Sequence, residues 1–111
     1  MPDVIVIATF TAKPGMADAV QAALATAIAP THLEDGCLLY ALHRGGDDST
    51  FVFIERWTSD AALAAHARQP WVTGLSTLAD SLAGPPQVQT FRAVPVGDPH
   101  LGQLAPEGVA G

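Results

Sequence analysis

Three stretches of this chain alternate as β-strands do, yet they are apolar at both parities, and this restricts the fold more than any other feature. In the first, Val4, Val6, Ala8 and Phe10 fall on one side and Ile5 and Ile7 on the other. The second sets Leu38, Tyr40 and Leu42 against Cys37, Leu39 and Ala41, and the third sets Phe51 and Phe53 against Val52 and Ile54. A sheet that meets water on one face alternates to polar there, so both faces of this sheet require cover. Helices can supply one cover. In a chain of 111 residues nothing remains for the other, and packing two sheets about a two-fold axis buries both faces at once.

The remaining pattern supplies the helices. Met16, Val20, Leu24 and Ile28 recur at intervals of four, which predicts a helix over 16–29 limited by Pro30, followed by a polar junction over 31–36. The strand over 37–44 ends in the turn-forming run 45–49, and a strand over 50–57 follows at hairpin distance. Thr58 or Ser59 can cap a short helix that stops near Pro70, and Val72, Leu75, Leu78, Ala79 and Leu82 mark a third. Gly84-Pro85-Pro86 breaks it, and 87–96 alternates as a fourth strand. The order β-α-β-β-α-α-β predicts an α+β, ferredoxin-like domain over 1–96 with a four-stranded antiparallel sheet, doubled into a dimeric α+β barrel. The Gly/Pro-rich end, 97–111, reads as a flexible tail.

Charge narrows the partners. Eleven acidic residues against five basic ones give a net charge of −6, which disfavours nucleic acid and acidic membrane surfaces. No run approaches the roughly 20 apolar residues of a membrane span, and the start MPDVIV lacks a signal peptide's features, so a cytoplasmic protein is expected. Cys37 is the only cysteine and stands in an apolar run, as a buried structural thiol would. The four histidines show no metal-ligand spacing, and neither a phosphate-binding glycine loop nor a GxSxG elbow is present.

Several segments carry a resemblance in their order and spacing: Lys13-Pro14-Gly15, then 31–40 (THLEDGCLLY), then Phe53-Ile54-Glu55-Arg56-Trp57, and finally 62–66 followed by Pro70. Over roughly 4–96 the chain resembles the antibiotic biosynthesis monooxygenase family, in particular its quinol monooxygenase-like members. The resemblance implies a homodimer whose subunits each hold an apolar pocket between sheet and helices. It implies oxidation of a quinol, anthrone or similar electron-rich aromatic by O2, with neither metal nor any other cofactor. Haem-degrading relatives carry an asparagine near the position of Ala8, and some anthrone-oxidising ones carry an asparagine where Phe53 stands, so this chain departs from both. A ligand-binding or stress-related dimeric barrel without turnover is the alternative from a different functional class.

Period two places Phe53, Glu55 and Trp57 on one strand face. A carboxylate inside an apolar strand carries a raised pKa that would suit proton transfer, unless it is paired, for instance with Arg92, or reaches water near the strand end. Trp57 matches the tryptophan of the family's Glu-x-Trp motif, which lines the pocket and donates its N–H; core packing is the competing reading. His66 has the side chain best suited by ordinary pKa to act as base, and it falls where family members often have a histidine; a hydrogen-bonded, partly buried residue is the competing reading. Tyr40, Phe53 and Trp71 are candidate pocket walls, with aromatic core packing as the alternative.

Overall fold

Pairing of apolar strands and capping of short helices produce the expected order with a few shifts. The computed structural model describes residues 3–105. β1 (Val4–Thr11) is followed by α1 (Ala17–Ala25) and α2 (Ile28–His32), β2 (Cys37–Arg44) and β3 (Thr50–Trp57). Then come α3 (Asp60–Ala67), α4 (Pro70–Thr73), a 3-10 helix (Gly74–Ser81) and β4 (Gln87–Phe91). The strands lie in the order β2-β3-β1-β4, and every neighbouring pair is antiparallel. This is the ferredoxin-like α+β fold expected from the pattern.

The helices cover the face that carries Val4, Val6, Phe51, Phe53 and Trp57, and Val20, Leu24, Leu78 and Leu82 descend onto it. Ser59 caps α3, its Oγ accepting the Ala62 N–H at 3.1 Å, which fixes where that helix leaves β3. Gly36 fixes the opposite approach. It has φ +84°, and a Cβ there would lie 2.6 Å from Thr58 Oγ1 and 2.7 Å from the Ala62 Cβ. Only glycine lets the start of β2 come this close to α3.

Local details depart from the pattern for identifiable reasons. The first helix breaks at Thr26 and Ala27 rather than at Pro30, because Pro30 sits in the first turn of α2, where a missing N–H costs no helical hydrogen bond. Thr31, assigned to the polar junction, is consequently buried in α2. The third helix is one turn of α4 continued as a 3-10 helix, and β4 ends at Phe91 rather than at 96. In β2 the register shifts between Cys37 and Leu39, a bulge at Leu38. It puts Cys37 on the same face as Tyr40 and Leu42, packed against the core but only half-buried, where burial and then the charges of Glu34 and Glu55 push its thiol up to about 11.

The second face of the sheet is not uniformly apolar. Arg56, opposite Ile5, is nearly buried there, with Asp3 at 2.7 Å and hydrogen bonds to Gln103 and to the Leu104 carbonyl. The chain beyond β4 therefore returns to this end of the sheet as far as it is described. The rest of the face carries the half-buried row Ala41, Ile54 and Ile7, and Phe91 at the edge is 42% exposed.

Candidate active site

The helices do not fill the covered face completely. Between them and the sheet lies a cavity of about 150 Å³. Its floor is Val6, Ala8, Phe10, Tyr40, Phe53 and Glu55, its roof is Leu63, His66 and Ala67 of α3 with Val72 and Leu75 beyond, and the exposed Val88 of β4 stands at its edge. Among the described residues Glu55 and His66 bring the carboxyl and imidazole groups to this wall, and no lysine or arginine lines it. Tyr40 stacks on Phe53 with ring centres 4.4 Å apart and meets the His66 ring edge-on at 5.2 Å.

Adjacent side chains on one strand face create the polar spot. Trp57 and Glu55 are two residues apart on β3, and the indole Nε1 donates to Glu55 Oε1 at 2.9 Å. Burial raises the Glu55 carboxyl from 4.5 to about 7, against the lowering effect of the Trp57 hydrogen bond and with a further upward push from the charge of Glu34. Burial, reinforced by Glu55, likewise raises the Tyr40 phenol, so Tyr40 stays a hydroxyl. Arg92 is not the partner of Glu55; it lies on the surface, 3.4 Å from Asp60.

His66 connects two carboxyl groups. Its Nδ1 is 2.8 Å from Glu34 Oε2, and its Nε2 is 4.0 Å from Glu55 Oε1. A carboxylate accepts only, so Nδ1 carries the hydrogen and Nε2 is left with a lone pair toward Glu55 in the neutral imidazole. The same Glu34 oxygen accepts the Trp71 Nε1 hydrogen at 3.1 Å. Glu34 thus pins the histidine of α3 and the tryptophan of α4 to the turn before β2. The separation of 4.0 Å is too long for a direct hydrogen bond and leaves a substrate hydroxyl able to reach both groups.

The structure brings His66, Glu55 and Trp57 together, with the Trp57 and His66 rings 4.5 Å apart. It does not give Trp57 the expected place on the wall: the ring is fully buried behind Glu55 and its N–H is already used. Trp71 likewise forms no part of the wall and acts through Glu34 instead, whereas Tyr40 and Phe53 do line the cavity. Glu34 is the residue that the pattern did not disclose. Among the described residues no three metal-ligating side chains gather to hold an ion, and no helix is long and apolar enough to cross a membrane.

Known proteins share this architecture. The family model for antibiotic biosynthesis monooxygenase matches residues 3–73. A protein of Mycobacterium tuberculosis named "Putative monooxygenase Rv0793" is 40% identical over 67 residues, a stretch covering 60% of this chain and 66% of that relative's length. The solved structure of Rv0793 superposes with a TM-score of 0.77 at 32% identity, over 86% of this chain and 97% of that one. PA3566 from Pseudomonas aeruginosa superposes with a TM-score of 0.79 at 33% identity, over 85% and 96%.

Proposed function

Because the chain belongs to the antibiotic biosynthesis monooxygenase family, we propose that it uses O2 to oxidise an electron-rich hydroxy-aromatic, a quinol or anthrone, without metal, flavin or other cofactor. The observation that carries this reading is the line Glu34–His66–Glu55, a held imidazole facing a carboxyl of pKa about 7 across the end of an apolar cavity. A carboxyl raised to about 7 beside a held imidazole in an apolar pocket suits proton transfer.

A substrate hydroxyl placed between the two groups gives its proton to His66 Nε2. Glu34, bonded at Nδ1, orients the ring and stabilises the imidazolium that forms. The electron-rich anion then passes one electron to O2, and the two radicals combine to form a C–O bond. Cleavage of the O–O bond, with protons returned from His66 and Glu55, releases water. For a quinol the balance is quinol plus O2 giving hydroxyquinone plus water, with both electron pairs coming from the substrate. Tyr40 and Phe53 hold the ring, and the apolar walls keep bulk water from quenching the anion.

Oxygen uptake with reduced naphthoquinols, anthrones and single-ring hydroquinones, measured above the enzyme-free rate, tests the reaction. Saturable uptake with formation of the hydroxylated product is expected; saturable aromatic binding without any uptake would leave a binding module in its place. We further propose that a second copy covers the face carrying Ile7 and Ile54, which supports a dimeric barrel. Sedimentation velocity at micromolar concentration is expected to give a dimer, and a well-folded single chain would remove that part of the reading.

A further inference from the structure

The cavity is small for the substrates of such a reaction. At about 150 Å³ it matches apolar cavities that take up one benzene ring, and neither a fused polycyclic nor a substituted ring would fit wholly inside. Beside it lies a second hollow of about 390 Å³. Phe10, Ala67, Val72 and Leu75 line both spaces, so the two share one wall of side chains. Beyond that wall the hollow runs between Ala79 and Leu82 of the 3-10 helix region and Pro86 before β4. Among the described residues Thr73 and Ser76 are its only polar side chains, and no charged residue lines it. Together the spaces fall within the roughly 300–1,000 Å³ of small-molecule sites.

We propose that the outer hollow binds a hydrocarbon chain carried by the substrate, so that the protein acts on a hydroxylated single ring with an alkyl or similar apolar substituent. The ring sits against Tyr40 and Phe53 with its hydroxyl at His66 and Glu55, and the chain passes Phe10 and Leu75 to lie along Ala79. The chemistry of the two spaces selects this occupant: one is ring-sized with an acid–base end, and the other continues it with neither charge nor a set of hydrogen-bonding groups. The inference rests on the inner cavity being the reaction site.

A series of 4-alkylphenols from methyl to octyl, titrated calorimetrically into the intact protein, tests the hollow without requiring turnover. Affinity is expected to rise about two- to fourfold for each methylene that enters the hollow and then to level off. Ala79 is exposed and lines only the outer hollow, so Ala79→Phe is expected to flatten the series while leaving 4-methylphenol binding as it is. Ser76→Phe should do the same from a neighbouring position. A flat series in the unmodified protein, as when a second copy or the chain's own end fills the hollow, overturns the proposal. A slope unchanged by both variants does so too. Oxygen uptake with the matching alkylhydroquinones separates the two ideas: a chain-length slope in binding without any uptake from the hydroquinones removes the monooxygenase reading alone, and uptake with a KM indifferent to chain length removes the hollow alone.

Discussion

Replacing His66 with glutamine is expected to lower substrate-dependent oxygen uptake about 10²- to 10⁴-fold, the range for losing a general base. The glutamine amide can still donate to Glu34, which also keeps its bond from Trp71, so the buried carboxylate is not stranded. It offers no group that can hold a proton. His66→Ala removes the same base but also opens a hole beside Trp57 and Tyr40, and its loss of activity is expected to come with a loss of stability that the glutamine variant avoids. Uptake within a few-fold of the unmodified protein in both variants would remove His66 from the reaction.

Glu55→Gln is expected to make the fold more stable at pH 8 than the unmodified protein, by on the order of 2–3 kcal/mol, and to leave stability at pH 4 nearly unchanged. Burial raises the folded-state carboxyl from 4.5 to about 7, so folding favours the protonated form. The stabilisation from holding that proton is complete below 4.5 and disappears as pH rises through 7; above this, the folded protein carries a buried charge that the unfolded chain exposes to water. Glutamine stays neutral and can still accept the Trp57 hydrogen. Urea unfolding at unit intervals from pH 4 to pH 8 reads the divergence of the two curves. Curves that stay parallel would mean that Glu55 is not buried in its charged form.

Period two correctly set Phe53, Glu55 and Trp57 on one face, a local regularity that backbone geometry alone enforces. His66 stands out through the resemblance and the chemistry of its imidazole, and no spacing in the sequence sets it over that face. Glu34 was hidden for the converse reason. It meets His66 across 32 residues of chain, and a carboxylate in a Glu-Asp-Gly turn is solvated unless something distant covers it. The available hint was Gly36, whose close packing against α3 carries the neighbouring turn under the helix. The bulge at Leu38 was equally silent, because one extra residue in a strand leaves no mark in an all-apolar run. Arg56 stood in plain sight between Glu55 and Trp57, but its partners Gln103 and Leu104 come from a stretch whose composition suggested no structure.

The chain has two tryptophans, and each gives its indole hydrogen to a different carboxyl group of the site, Trp57 to Glu55 and Trp71 to Glu34. Intrinsic fluorescence is therefore wired to the acid–base groups without any added label. A proton arriving at Glu55 weakens the acceptor beside one indole, and a change at the imidazole alters the acceptor shared with the other. Single-tryptophan versions of the protein would each report one end of the proton line by colour and intensity of emission.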